Sequence, residues 1–121
     1  MTKRPERIVD AHVHLWDPAR TDWYPYLSGR MEIGMGNVTG MSRLFNPEIY
    51  KNEADGWNVV ALVNVAAATG RNSVDETLYL DAQSETLGHP AAIIGGLPPT
   101  DSSAEAIALL DIQMKAKRFK G

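Results

Sequence analysis

Cysteine is absent from the 121 residues. Disulfides, thiolate metal sites and a cysteine nucleophile are thereby excluded, and the absence fits a reducing, cytoplasmic setting. A surplus of positive charge is missing too. Twelve Lys and Arg stand against 15 Asp and Glu, a formal net charge of −3, so a nucleic-acid partner has no electrostatic basis. The longest apolar stretch, Val59 to Ala68, is interrupted by Asn64. It falls well short of the ~18 residues a membrane helix needs. The charged start is followed only by Ile8-Val9 before Asp10, which leaves no signal-peptide core. No Gly-x-Gly-x-x-Gly, Walker loop, Gly-x-Ser-x-Gly elbow or His-Glu-x-x-His is present, so nucleotide binding and serine hydrolysis are unsupported. What remains is an ordinary globular mix, 44% hydrophobic and 22% charged, sized for one domain.

The pattern along the chain alternates strand and helix. Ile8 to Leu15 has period two, with Val9, Ala11, Val13 and Leu15 on one face and Asp10, His12 and His14 on the other, the mark of a strand. The apolar face is expected to bury against a helix layer. Residues 16–45 show no sustained period and carry Trp16, Trp23, Tyr24, Tyr26 and Phe45 with glycines at 29, 34, 36 and 40. A loop of this length is a functional wall or an aromatic-packed surface loop. Asn46-Pro47 opens a short helix, and Gly56 suits its left-handed stop. Val59 to Val65 reads as a parallel strand covered on both faces.

Ser73-x-x-Glu76 predicts a capping box for a second helix, with Leu78, Leu80, Ala82 and Leu87 as its apolar surface and Gly88 and Pro90 at its end. Ala91 to Leu97 is a weaker, glycine-softened strand. Ser102-x-x-Glu105 repeats the capping box before a third helix, whose apolar residues are Ile107, Leu110 and Met114. The basic residues that follow, Lys115 to Lys120, complement that helix's dipole. Alternating β/α order implies a parallel sheet with right-handed crossovers. Arg118 to Gly121 looks like the first steps of a fourth strand. A three-strand parallel sheet exposes both edges, so the chain is expected to be the front part of a longer one.

His12 and His14 are the sharpest chemical feature. Two apart on a strand, their imidazoles project to the same side, where neutral ring nitrogens suit zinc, manganese or iron. They also lie at the C-terminal end of the first strand, where β/α folds place their sites. Two histidines satisfied by hydrogen bonds remain the plain reading. Asp10 either orients a ligand or bonds backbone.

Val9-Asp10-Ala11-His12-Val13-His14-Leu15-Trp16-Asp17-Pro18 resembles the opening of the amidohydrolase superfamily, in its amidohydrolase 2 branch of lactonases and decarboxylases. Trp16-Asp17-Pro18 and the following Trp23-Tyr24-Pro25 are similar to the lactonase-like group. The resemblance implies an α/β fold, a partial (β/α)8 TIM-type barrel comprising the first three β/α units and the start of strand four. It implies a divalent metal, typically zinc, held by His12 and His14, and a catalytic base beyond Gly121. It also implies a small-molecule substrate, a lactone or related carboxylic ester or amide, hydrolysed by metal-assisted water attack. Similar lactonases work without metal, their histidines holding substrate instead. A metal-dependent decarboxylase of the same branch and an inactive truncated chain are the alternatives. This segment alone is expected to be inactive, since two histidines fall short of the three protein ligands of a catalytic zinc.

Secondary candidates follow. Asn64 hydrogen-bonds a substrate oxygen if it faces the site, or neighbouring backbone if it does not. Related lactonases often have His or Gln there. Trp16, with Trp23, Tyr24 and Tyr26, either walls the site or packs the long loop. Arg71 pairs a substrate carboxylate or is solvated. His89, before Pro90 and on the opposite side of the sheet, reads as a loop histidine.

Overall fold

The computed structural model describes residues 2–121. Its regular elements are β1 (Ile8–Val13), α1 (Pro47–Glu53), β2 (Val59–Val65), α2 (Asn72–Leu87), β3 (Ala92–Ile94) and α3 (Ser103–Gln113), with 3-10 turns at Pro25–Ser28 and Thr39–Met41. The strands form one all-parallel sheet in the order β1-β2-β3. Among the described residues, no helix is long and apolar enough to cross a membrane.

The partial-barrel expectation is overturned. A barrel requires its sheet to close on itself, and this sheet is open, with three strands and β1 paired to β2 alone. The start of strand four is not a strand either. Phe119 meets Ile93 in a single parallel bridge, and the segment is held by Ile93 N–H to Arg118 O (2.8 Å), Lys120 N–H to Ile93 O (2.9 Å) and Gly95 N–H to Gly121 O (2.8 Å). The fold is a small open α/β sheet with three helices.

Right-handed crossovers between neighbouring parallel strands put the two connecting helices, α1 and α2, on one side of the sheet. On that side Val13, Leu15, Leu62 and Ile93 pack with Leu80 of α2, and Tyr50 of α1 packs against them. Along β2 only Leu62 and Asn64 are buried, while Val59, Val60, Ala61, Val63 and Val65 are half-buried. The strand is thus covered on one face, not both.

In β1 the register explains a second departure. Val9 pairs with Ala61 and Asp10 with Leu62, whereas Val13 pairs with Asn64, so three steps of β1 match two of β2. A bulge of this kind shifts side-chain parity. Val13 joins the Leu62–Asn64 core face, but Val9 follows Ala61 onto the other, where it is 58% exposed, and Ala11 is exposed as well. The same slip separates Asp10 from His12 and His14. Asp10 falls on the core face, where the Tyr50 hydroxyl donates to its Oδ2 at 2.7 Å.

Helix α1 begins as its sequence dictates: Asn46 Oδ1 accepts from the Ile49 N–H at 2.9 Å, and Pro47 takes the first helical position. Gly56 supplies the turn after it with φ 81. Helix α3 is capped by Ser102 Oγ, which accepts from Glu105 N–H. Its apolar face is reversed, however. Ile107, Leu110 and Met114 point outward, Met114 being 68% exposed, while Leu109 and Gln113 are buried. The reason is polar. Gln113 Nε2 donates to Gly96 O (2.9 Å) and its Oε1 accepts from Thr77 Oγ1 (2.7 Å), locking α3 to α2 and to the chain after β3.

Candidate functional site

His12 and His14 stand at the C-terminal end of β1, against a cavity that Tyr50 and Glu53 of α1 also line. Their ring centroids lie 5.1 Å apart with the planes at 80°, so the two imidazoles meet edge to face. His14 Nδ1 lies 2.8 Å from the Val65 carbonyl oxygen. A carbonyl only accepts, so Nδ1 carries the proton, and Nε2 of the neutral ring keeps its lone pair. This backbone-held imidazole is the arrangement that orients metal-binding or proton-accepting histidines. Asp10 Oδ1 accepts from the His12 backbone N–H at 3.2 Å, so Asp10 bonds backbone. The Tyr50 hydroxyl on its other oxygen is pushed up to about 12, by burial first and then by the Asp10 carboxylate.

An open cavity of about 600 Å³ lies against the histidines, bounded by Asp10, Trp16, Met41, Arg43, Phe45, Tyr50 and Glu53. Trp16 stacks on His14, centroids 5.9 Å apart and planes 4° from parallel. The long loop is strapped back over this end of β1: Trp16 and Phe45 exchange backbone hydrogen bonds at 2.9 and 3.0 Å, and Trp16 Nε1 donates to Arg43 O at 3.1 Å. Arg43 in turn pairs with Glu53 at 3.0 Å.

The other candidates are placed elsewhere. Asn64 is 1% exposed and outside the cavity wall; its Oδ1 accepts from the Leu15 N–H at 2.9 Å. It ties the end of β1 to β2. Trp23, Tyr24 and Tyr26 bury themselves with Leu27 in a cluster of their own, against which Trp16 packs. Arg71 is ion-paired with Glu105 at the surface. His89 lies at the other end of the strands, beside Trp57, Val59 and Leu87 in a second cavity of about 560 Å³.

Glu76 is the residue that sequence reasoning assigned to the wrong task. Helix α2 has no side-chain cap, and the Ser73 hydroxyl instead lies between the Gly70 and Gly96 carbonyl oxygens, at 2.7 and 3.0 Å, with one proton to share between them. Glu76, 2% exposed, turns inward. Its Oε1 accepts from Ala67 N–H (2.9 Å), and its Oε2 from Ala68 N–H (3.1 Å) and the Tyr24 hydroxyl (2.6 Å). Burial raises its pKa above the ordinary carboxylate value, opposed by these three donors and by His14. The Tyr24 hydroxyl is held protonated, by burial and then by Glu76. The only signal for this role was an acidic residue one helical turn from Ser73, and the capping pattern absorbed it.

Two imidazoles suit a divalent ion such as zinc as two of its ligands. Among the described residues, no group of three or more His, Cys, Asp or Glu side chains is arranged to complete the set. No family model, curated protein or solved structure matches the chain.

Proposed function

We propose that this chain carries the histidine pair of a hydrolase of the amidohydrolase 2 type, acting on a lactone or a related carboxylic ester or amide in the cytoplasm. The observation that supports it most is His14: its Nδ1–H is committed to the Val65 carbonyl, which leaves Nε2 uncommitted on a ring that lies beside His12 and lines an open cavity. Bound by His12 and His14, a divalent ion would polarise the substrate carbonyl and acidify a water. The residues also offer chemistry of their own. Neutral His14 accepts a proton from water at Nε2, and protonated His14 donates Nε2–H to a carbonyl oxygen. Trp16 lies parallel to the His14 ring in an offset stack, and the Asp10 bond to the His12 N–H steadies the strand end.

The test is a side-chain nitrogen NMR titration of the whole chain with zinc and, separately, with a panel of small lactones. Shifts confined to His12 and His14, and lost in His12→Ala and His14→Ala, support the reading. Unchanged histidine resonances across both titrations overturn it.

A further inference from the structure

Glu76 is a buried carboxylate to which the proposed hydrolysis gives no task, yet its bonds lead to His14 by two routes. The first runs through backbone. Ala67 and Ala68, whose N–H groups it accepts, follow Val65 by two and three residues, and the Val65 carbonyl is the partner of His14 Nδ1–H. The intervening Ala66 N–H is bonded to Ile94 O at 2.9 Å, so the peptide bearing the Val65 carbonyl is fixed from the β3 side. Glu76 then holds the two peptides after it, where the chain leaves the sheet. The second route runs through rings. The Tyr24 hydroxyl donates to Glu76, the Tyr24 ring lies 6.1 Å from Trp16, and Trp16 stacks on His14.

The chemistry favours a carboxylate for this task. Three donors converge on it, two of them rigid backbone N–H groups, and a carboxylate accepts them all. A carboxamide has one oxygen, so its NH2 would confront either the Ala67 or the Ala68 N–H. Burying a charge here is costly unless the bonds are complete, which makes the arrangement all-or-none and the turn stiff.

We propose that Glu76 is a positioning residue for His14: it holds the turn after β2 so that the Val65 carbonyl keeps the Nδ1–H tautomer and Nε2 faces the cavity with its lone pair. The inference rests on the reading that His14 Nε2 is a working atom of the site. Its geometry and its test need no metal.

The experiment is long-range ¹H–¹⁵N correlation of the His14 side chain in the whole protein, without added metal, at a pH where the ring is neutral. The wild type is expected to be almost wholly Nδ1–H. In Glu76→Gln, loss of one net hydrogen bond from the turn raises the Nε2–H to Nδ1–H ratio about fivefold. Tyr24→Phe, a milder change that covers failure of the first variant to fold, moves the ratio the same way by less. Ser84→Ala removes the bond from another buried α2 side chain to Pro90 O and leaves the ratio unchanged. A wild type dominated by Nε2–H, a Glu76→Gln or Tyr24→Phe ratio equal to wild type, or an equal shift in Ser84→Ala overturns the proposal. Zinc and lactone titrations that leave the histidines unmoved sink the hydrolase reading alone, because the tautomer ratio is measured without either.

Discussion

The indole of Trp16 and the imidazole of His14 lie in an offset stack, 4° from parallel and 5.9 Å between centroids. An arrangement of this kind makes the indole a reporter of the neighbouring ring. Of the other two tryptophans, Trp23 is buried among Tyr24, Tyr26 and Leu27, and Trp57 lies beside the Arg4 guanidinium.

Truncating the imidazole in His14→Ala is therefore expected to shift the Trp16 emission, read as the difference between each protein and its Trp16→Phe counterpart. An unchanged Trp16 emission in His14→Ala would disprove the packing of the two rings.

Zinc is expected to bind weakly. Two imidazoles are one ligand short of a catalytic site, so a chain loaded with excess zinc and then dialysed should retain far less than one equivalent by atomic emission. Full retention would mean that a third donor is recruited.

Gly95 has no room for a side chain. A Cβ there meets Gln113 Oε1, the Phe119 ring at 2.9 Å and Thr77 Oγ1 at 3.0 Å, the first and last of which form the lock between α2 and α3. Gly95→Ala should cost about 1–3 kcal/mol in chemical denaturation. Gly40→Ala, which meets nothing within 4 Å, should be close to neutral.

Asp81 links α2 to the chain after α3, accepting from the Lys117 and Arg118 N–H groups and pairing with the Arg118 guanidinium at 3.0 Å. Burial pulls its pKa up, but these donors pull harder and leave it below the ordinary carboxylate value. A depressed folded pKa means that the unfolded chain binds the proton more readily, so this contribution is present above the ordinary value and lost as pH falls through the folded one. Thermal melts of Asp81→Asn should lie below wild type at neutral pH and converge with it in acid. A gap that persists at pH 2 would point to packing instead.

The parts legible in the sequence were those written in local chemistry. Asn46-Pro47 starts α1 and the β-branched run is β2, because a cap and a propensity act over a few residues. Closure of the sheet was not local. The barrel expectation depended on strands finding distant partners, and the open three-strand sheet overturned it. Alternation in β1 misled for a different reason: one extra residue between Asp10 and Val13 exchanges the two faces, and nothing in Asp10 to Val13 announces it. Helix α3 shows the same limit, since its buried face is marked by Gln113, a polar residue that spacing of apolar positions overlooks. At the site, the His-x-His spacing brought two rings together, while Asn64 went to the core and Glu76 became visible only through its three donors.

Cohesion resides with Leu62, Val13 and Leu80, whereas His12 stands exposed at the strand end with no part in that cluster. Position 12 is therefore open to redesign without reopening the question of whether the chain folds.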